Sequence, residues 1–207
     1  MRRLLSLSFA VLTFWSAMAD ILRSEEIGRP GALRGGGHVI VFRHGATNRD
    51  EADTDPLHPE NVAAQRQLTP GGRAQAAQTG AAMHRLEIPV STIITSQFQR
   101  AIETGTLLGF GEVHASADVT EGGLVVSPDE NSRRAAALRK LAATTPAYGA
   151  NLVIVTHKPN LMDAFGKDLF DVGEGEACVF KPDGQGGYRL LLRIPAGDWE
   201  RLTATTH

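Results

Sequence analysis

The 207-residue chain carries 21 Lys+Arg against 23 Asp+Glu, 42% hydrophobic residues and one cysteine. A formal charge of −2 speaks against a polyanion-binding surface, so no nucleic-acid partner is expected, and any phosphate chemistry must rest on a local cluster of cations. A lone Cys178 excludes an internal disulfide; in the apolar run "EACVF" it reads as a small buried hydrophobe.

Residues 1–19, "MRRLLSLSFAVLTFWSAMA", run from two arginines through an apolar stretch to Ala17-Met18-Ala19. That order predicts a secretory signal peptide cleaved after Ala19, because the apolar part is shorter than the roughly 20 residues that span a bilayer. An exported protein, periplasmic or secreted, is therefore expected, with no stable membrane insertion after cleavage. From Asp20 onward there are 19 Lys+Arg against 23 Asp+Glu, a formal −4. Residues 20–37, rich in Gly and polar groups, read as a mobile lead-in, and residues 38–207 as a single domain.

In chain order, "HVIVF" (38–42) reads as a strand covered on both faces, followed by a polar loop over 46–67. Thr69 and Pro70 offer an N-cap and first-turn proline for a helix to Leu86. "VSTIITS" (90–96) is a second strand, "QFQRAIETGTLLG" has helical composition, and a short strand follows near 113–115. Ser127 and Glu130 stand in capping-box spacing ahead of a helix that ends before Pro146. A strand at 152–155, a helix opening around Pro159 and a hairpin over 177–195 complete the pattern. Alternating strands and helices predict an α/β fold: a mainly parallel sheet, helices on both faces, an antiparallel edge hairpin.

In such sheets ligands bind beyond the carboxyl ends of the strands, where Arg43-His44, Arg100 and His157 all fall. Two guanidinium forks match phosphate oxygens and their charge, and a histidine with one unprotonated nitrogen can attack phosphorus. A metal site is the other use for clustered histidines. His44, His58 and His157 lack HxH or HxxxH spacing, however, and the flanking arginines would repel a cation.

"RHGAT" (43–47), "LTPGGRAQA" (68–76), "SQFQRAIET" (96–104) and "VTHKPN" (155–160), in that order, resemble the histidine phosphatase superfamily, also called the phosphoglycerate mutase-like family. The resemblance implies that His44 becomes phosphorylated during turnover, that Arg43 and Arg100 bind the phosphoryl group, and that His157 donates a further hydrogen bond to it. It implies no metal and no organic cofactor. Many members take a general acid from a glutamate about twenty residues past the second arginine, and Glu121 stands there, with Val119 where the family has leucine. Asp53, Asp55, Glu174 and Glu176 remain alternatives. The acid phosphatase branch has an aspartate directly after the second histidine; Lys158 occupies that place here.

The reading is a phosphomonoester hydrolase working through a phosphohistidine on a small phosphorylated substrate. A phosphomutase of the same family and a non-catalytic phosphate-binding domain are the alternatives.

Overall fold

The computed structural model describes residues 30–122 and 124–204. The expected signal peptide and residues 20–29 of the lead-in lie outside them. Strands β1 (Val39–Arg43), β2 (Val90–Thr95), β3 (Val113–Ala115), β4 (Asn151–Thr156), β5 (Ala177–Pro182) and β6 (Tyr188–Ile194) form one sheet in the order β3-β2-β4-β1-β5-β6. β1, β2, β3 and β4 run parallel, and β5 and β6 add the antiparallel edge. Helices α1 (Pro70–Arg85), α2 (Gln99–Leu107), α3 (Pro128–Ala142), α4 (Lys158–Phe165) and α5 (Trp199–Ala204) connect or follow them.

Period-2 alternation in β1 and β4 splits the core in two. Ile40, Phe42, Val153 and Val155 face α1, α2 and α5, in a cluster that includes Met83, Leu86, Ala101 and Trp199. Val39, Val41, Leu152 and Ile154 face α3 and α4, with Leu138, Leu161 and Phe180. Both faces of the central strands are covered, which is why they carry unbroken β-branched runs. Each such side chain contributes roughly 1.5–3 kcal/mol by leaving water. Trp199, fully buried, stacks on Phe42 at 6.0 Å between ring centroids and anchors α5 to the sheet. Cys178 is buried in β5, and that burial pushes its thiol up to about 12, so it behaves as a hydrophobe.

Two local readings need correction. Pro30–Gly35, expected within a mobile lead-in, is a 3-10 turn: Leu33 is buried in the core and Arg34 Nε donates to Leu86 O at 2.8 Å. Apolar burial of one leucine outweighs the glycines that suggested mobility. At α3, Ser127 accepts from Glu130 N–H as expected, but the Glu130 carboxylate pairs with Arg133 and Arg134 on its own helix instead of closing the capping box. Among the described residues no helix is long and apolar enough to cross a membrane.

Candidate active site

The sheet brings the strand ends together. Val41–Arg43 of β1 pairs with Ile154–Thr156 of β4, and β4 pairs with β2 up to Thr95, so residues 43–44, 96–100 and 156–157 emerge on one rim. His44 is pinned through its backbone: its N–H donates to Thr156 O at 3.0 Å, and its carbonyl accepts from Gly175 N–H at 2.9 Å. Gly45 N–H donates to Thr104 Oγ1 at 3.0 Å, and Thr104 in turn donates to Arg100 O at 2.6 Å, tying α2 to the turn after β1. Gly45 and Gly72 allow that turn to press on the start of α1: a Cβ at Gly72 would stand 2.2 Å from Ala46 O, and one at Gly45 would stand 3.1 Å from Gly72 O. The glycine of the Arg-His-Gly run thus serves backbone packing.

The two imidazoles lie 5.1 Å apart between centroids, and both are buried. His44 Nδ1 is 2.8 Å from Gly45 O, which can only accept, so the proton sits on Nδ1 and the Nε2 lone pair is free. His157 Nε2 is 2.7 Å from Ser96 Oγ, which already accepts from Phe98 N–H at 3.1 Å. A hydroxyl can accept twice, so the other ring nitrogen decides: Nδ1 stands 3.4 Å from the Glu121 carboxylate oxygen, which places the His157 proton on Nδ1 and leaves Nε2 to accept from the serine hydroxyl. Burial holds both histidines well below the ordinary imidazole value. For His44 the neighbouring His157 and then Arg100 add to this; for His157 Arg100, Arg66 and Arg43 do. Both are neutral at physiological pH, the state that a nucleophilic imidazole requires.

Arg100 is fully buried and stacks over the Phe98 ring at 4.5 Å. Its Nη1 donates to Asp53 Oδ1 at 2.9 Å and its Nη2 to Glu121 Oε1, and that glutamate oxygen also stands 3.4 Å from His157 Nδ1. Arg43 Nη1 donates to Val172 O at 2.8 Å, and Nη2 lies 3.4 Å from Glu174 Oε1, which Thr47 also contacts. Nε of Arg43, Arg66 and Arg100 and Nδ1 of His157 are buried with no hydrogen-bond partner. Several N–H donors clustered without acceptors in a buried site are what an oxyanion requires, and they would be costly in a purely structural role.

The structure also sorts the five acidic candidates. Glu121, Asp53 and Glu174 reach the cluster. Asp55 is turned away to an exposed pair with His58, and Glu176 is spent on Arg193 and on Gly173 N–H. His58 is thereby removed from any shared metal site. Lys158 places Nζ 6.0 Å from the Phe170 ring centroid, at the start of α4. A cavity of about 520 Å³ lies further along the segment that carries Glu121, walled by Leu124, Val126, Asn131, Ala135, Arg139 and Asp163.

Ser96 and Arg66 were not singled out in the sequence. Ser96 had a signal, a hydroxyl at a strand end inside a motif; Arg66, deep in a polar loop, had none. His44, Arg43, Arg100, His157 and Glu121, named from four distant segments, all meet at the rim.

Residues 39–124 match the family model described as the histidine phosphatase superfamily, branch 1. No curated protein matches the chain in sequence. Solved structures similar to it include the protein histidine phosphatase SixA complexed with tungstate, at 17% identity and TM-score 0.54 over 78% of this chain and 98% of that one. Another is phosphoserine phosphatase from Entamoeba histolytica in complex with 3-phosphoglyceric acid, at 18% identity and TM-score 0.56 over 76% and 96%. A third is a mycobacterial glucosyl-3-phosphoglycerate phosphatase, at 17% identity and TM-score 0.52 over 74% and 96%. At such identity these likenesses carry the fold, which is phosphoglycerate mutase-like. Sequence likeness to the histidine phosphatase superfamily, branch 1, thus spans residues 39–124, and the likeness over about three quarters of the chain is one of fold.

Proposed function

We propose that the protein hydrolyses phosphomonoesters through a phosphohistidine at His44. One observation carries the reading: an imidazole whose Nε2 lone pair is free sits among buried guanidinium and imidazole N–H groups that have no protein acceptor. In the first step the Nε2 lone pair forms a bond to phosphorus as the ester P–O bond breaks. Arg43, Arg100 and His157 Nδ1–H take the charge on the three non-bridging oxygens, and the Glu121 carboxyl gives its proton to the leaving alkoxide. In the second step the Glu121 carboxylate accepts a proton from water, the water oxygen attacks phosphorus, the P–N bond breaks, and inorganic phosphate leaves.

Glu121 is favoured as the acid because one of its oxygens touches Arg100 and faces His157 Nδ1. The composition of residues 1–19 supports export, and the reaction is then assigned to phosphomonoesters outside the cytosol.

Incubating the protein with p-nitrophenyl phosphate and quenching in alkali tests the reading. The wild type should release phosphate and retain an acid-labile phosphohistidine, and His44→Ala should lose both, with a rate at least about four orders of magnitude lower. Phosphate binding with neither turnover nor a trapped intermediate would mark a binding domain instead. Isomer formation outpacing phosphate release would mark a mutase.

A further inference from the structure

The loop between β1 and α1 is held against the catalytic rim by two adjacent residues. Gln65, buried, donates from Nε2 to Pro59 O at 2.6 Å and accepts at Oε1 from Gln99 N–H at 2.7 Å, beside Arg100. Arg66 N–H donates at 2.9 Å to Asp53 Oδ1, the same oxygen that accepts Arg100 Nη1 at 2.9 Å. The Arg66 backbone is therefore locked onto the Arg100 guanidinium through one carboxylate oxygen.

The Arg66 side chain makes no hydrogen bond and no ion pair among the described residues, and its Nε is buried. Its charge depresses the proton affinity of both Arg43 and His157, which sets it on the same side as the cluster. Bringing a third guanidinium near two others costs Coulombic free energy, and this one has no carboxylate of its own to offset it. The arrangement becomes favourable once a dianion with three equivalent oxygens sits among the three forks.

Building on the phosphoryl site argued above, we infer that Arg66 is a third phosphoryl-binding guanidinium, delivered by the loop through Asp53 and Gln65. It contacts a non-bridging oxygen alongside Arg43 and Arg100. Loop and phosphoryl site are then one unit, and the site selects dianionic monoesters over singly charged diesters.

Isothermal titration with inorganic phosphate, alongside steady-state kinetics on p-nitrophenyl phosphate, tests this. Arg66→Ala keeps the backbone bond to Asp53, so the latch survives the truncation; Arg66→Gln keeps most of the side-chain length as a second check. Both should weaken phosphate binding about 10- to 100-fold and lower kcat/KM at least as much, with Arg66→Lys recovering part of the loss. Arg49→Ala, which removes an exposed cation of the same loop, should stay within about twofold of wild type. The inference is overturned if Arg66→Ala and Arg66→Gln bind phosphate within about twofold of wild type, or if Arg49→Ala loses as much as they do. Arg66-dependent phosphate binding without turnover would leave Arg66 in place and remove the hydrolase reading. Turnover with an indifferent Arg66 would do the reverse.

Discussion

Arg100 and Arg193 each hold two carboxylates, yet they belong to different kinds of region. Arg193, on β6, gives Nε to Glu176 at 2.6 Å and Nη1 to Asp171 at 2.9 Å, and its guanidinium is partly solvated. Arg100 is fully buried, and while Asp53 and Glu121 take its Nη groups, its Nε has no acceptor. Around Arg193 the donors that are out of water are matched within the protein. Around Arg100 the unmatched donors accumulate, with Arg43, Arg66 and His157 contributing more. Counting ion pairs would rate the two alike; counting buried donors without acceptors sets the Arg193 clamp apart from Arg100, where an anion site is proposed.

The sharpest way to break that distinction is Arg100→Ala. It should lower kcat/KM on p-nitrophenyl phosphate about 10²–10³-fold and, by leaving Asp53 and Glu121 without their cation, cost about 3 kcal/mol in urea unfolding. A variant that keeps its activity would make Arg100 a clamp like Arg193.

Glu121→Gln keeps the hydrogen-bonding shape but removes the transferable proton. Alkyl phosphates should lose about 10²-fold in kcat. A p-nitrophenolate leaving group scarcely needs protonation, so its ester should lose less than about tenfold. Equal losses on both substrates would assign the proton to another residue, with Asp53 and Glu174 next in reach.

The two histidines sharpen the comparison through pH. Their folded proton affinity lies below that of the unfolded chain, near 6.5. The unfolded state therefore binds more protons, and stability present above pH 6.5 is lost as the pH falls towards the folded values. Between pH 6.5 and 5 each should cost at most about 2 kcal/mol in urea unfolding, and His44→Asn should flatten the slope. A profile unchanged by that substitution would mean that burial does not hold the histidine neutral.

Arg193→Met gives the smallest effect. A loss of about 1 kcal/mol, or roughly 2–4 °C in Tm, with kcat/KM unchanged on p-nitrophenyl phosphate, is expected for a partly solvated pair away from the reacting atoms. A hundredfold loss of activity would erase the contrast with Arg100.

Local patterns were read well because their causes are local. Thr69 and Pro70 begin α1, Ser127 and Pro128 begin α3, and Thr69 and Ser127 each accept the expected backbone N–H. The unbroken apolar runs of β1 and β4 are the central strands, because only a strand covered on both faces tolerates them. Leu33 was missed because a lone leucine among glycines has no periodicity, and only its seat in the core orders the turn around it.

From the residues alone came the order of elements, the sheet's parallel character and the four strand-end groups, since side-chain periodicity and turn chemistry act between near neighbours. The division of acidic residues into those facing the rim and those used elsewhere, the two histidine tautomers and the arrival of Arg66 came only from the folded chain. They depend on contacts such as Arg100 with Asp53, 47 residues apart, and His157 with Ser96, 61 apart. Sheet pairing and loop path choose those partners, and no local pattern encodes them.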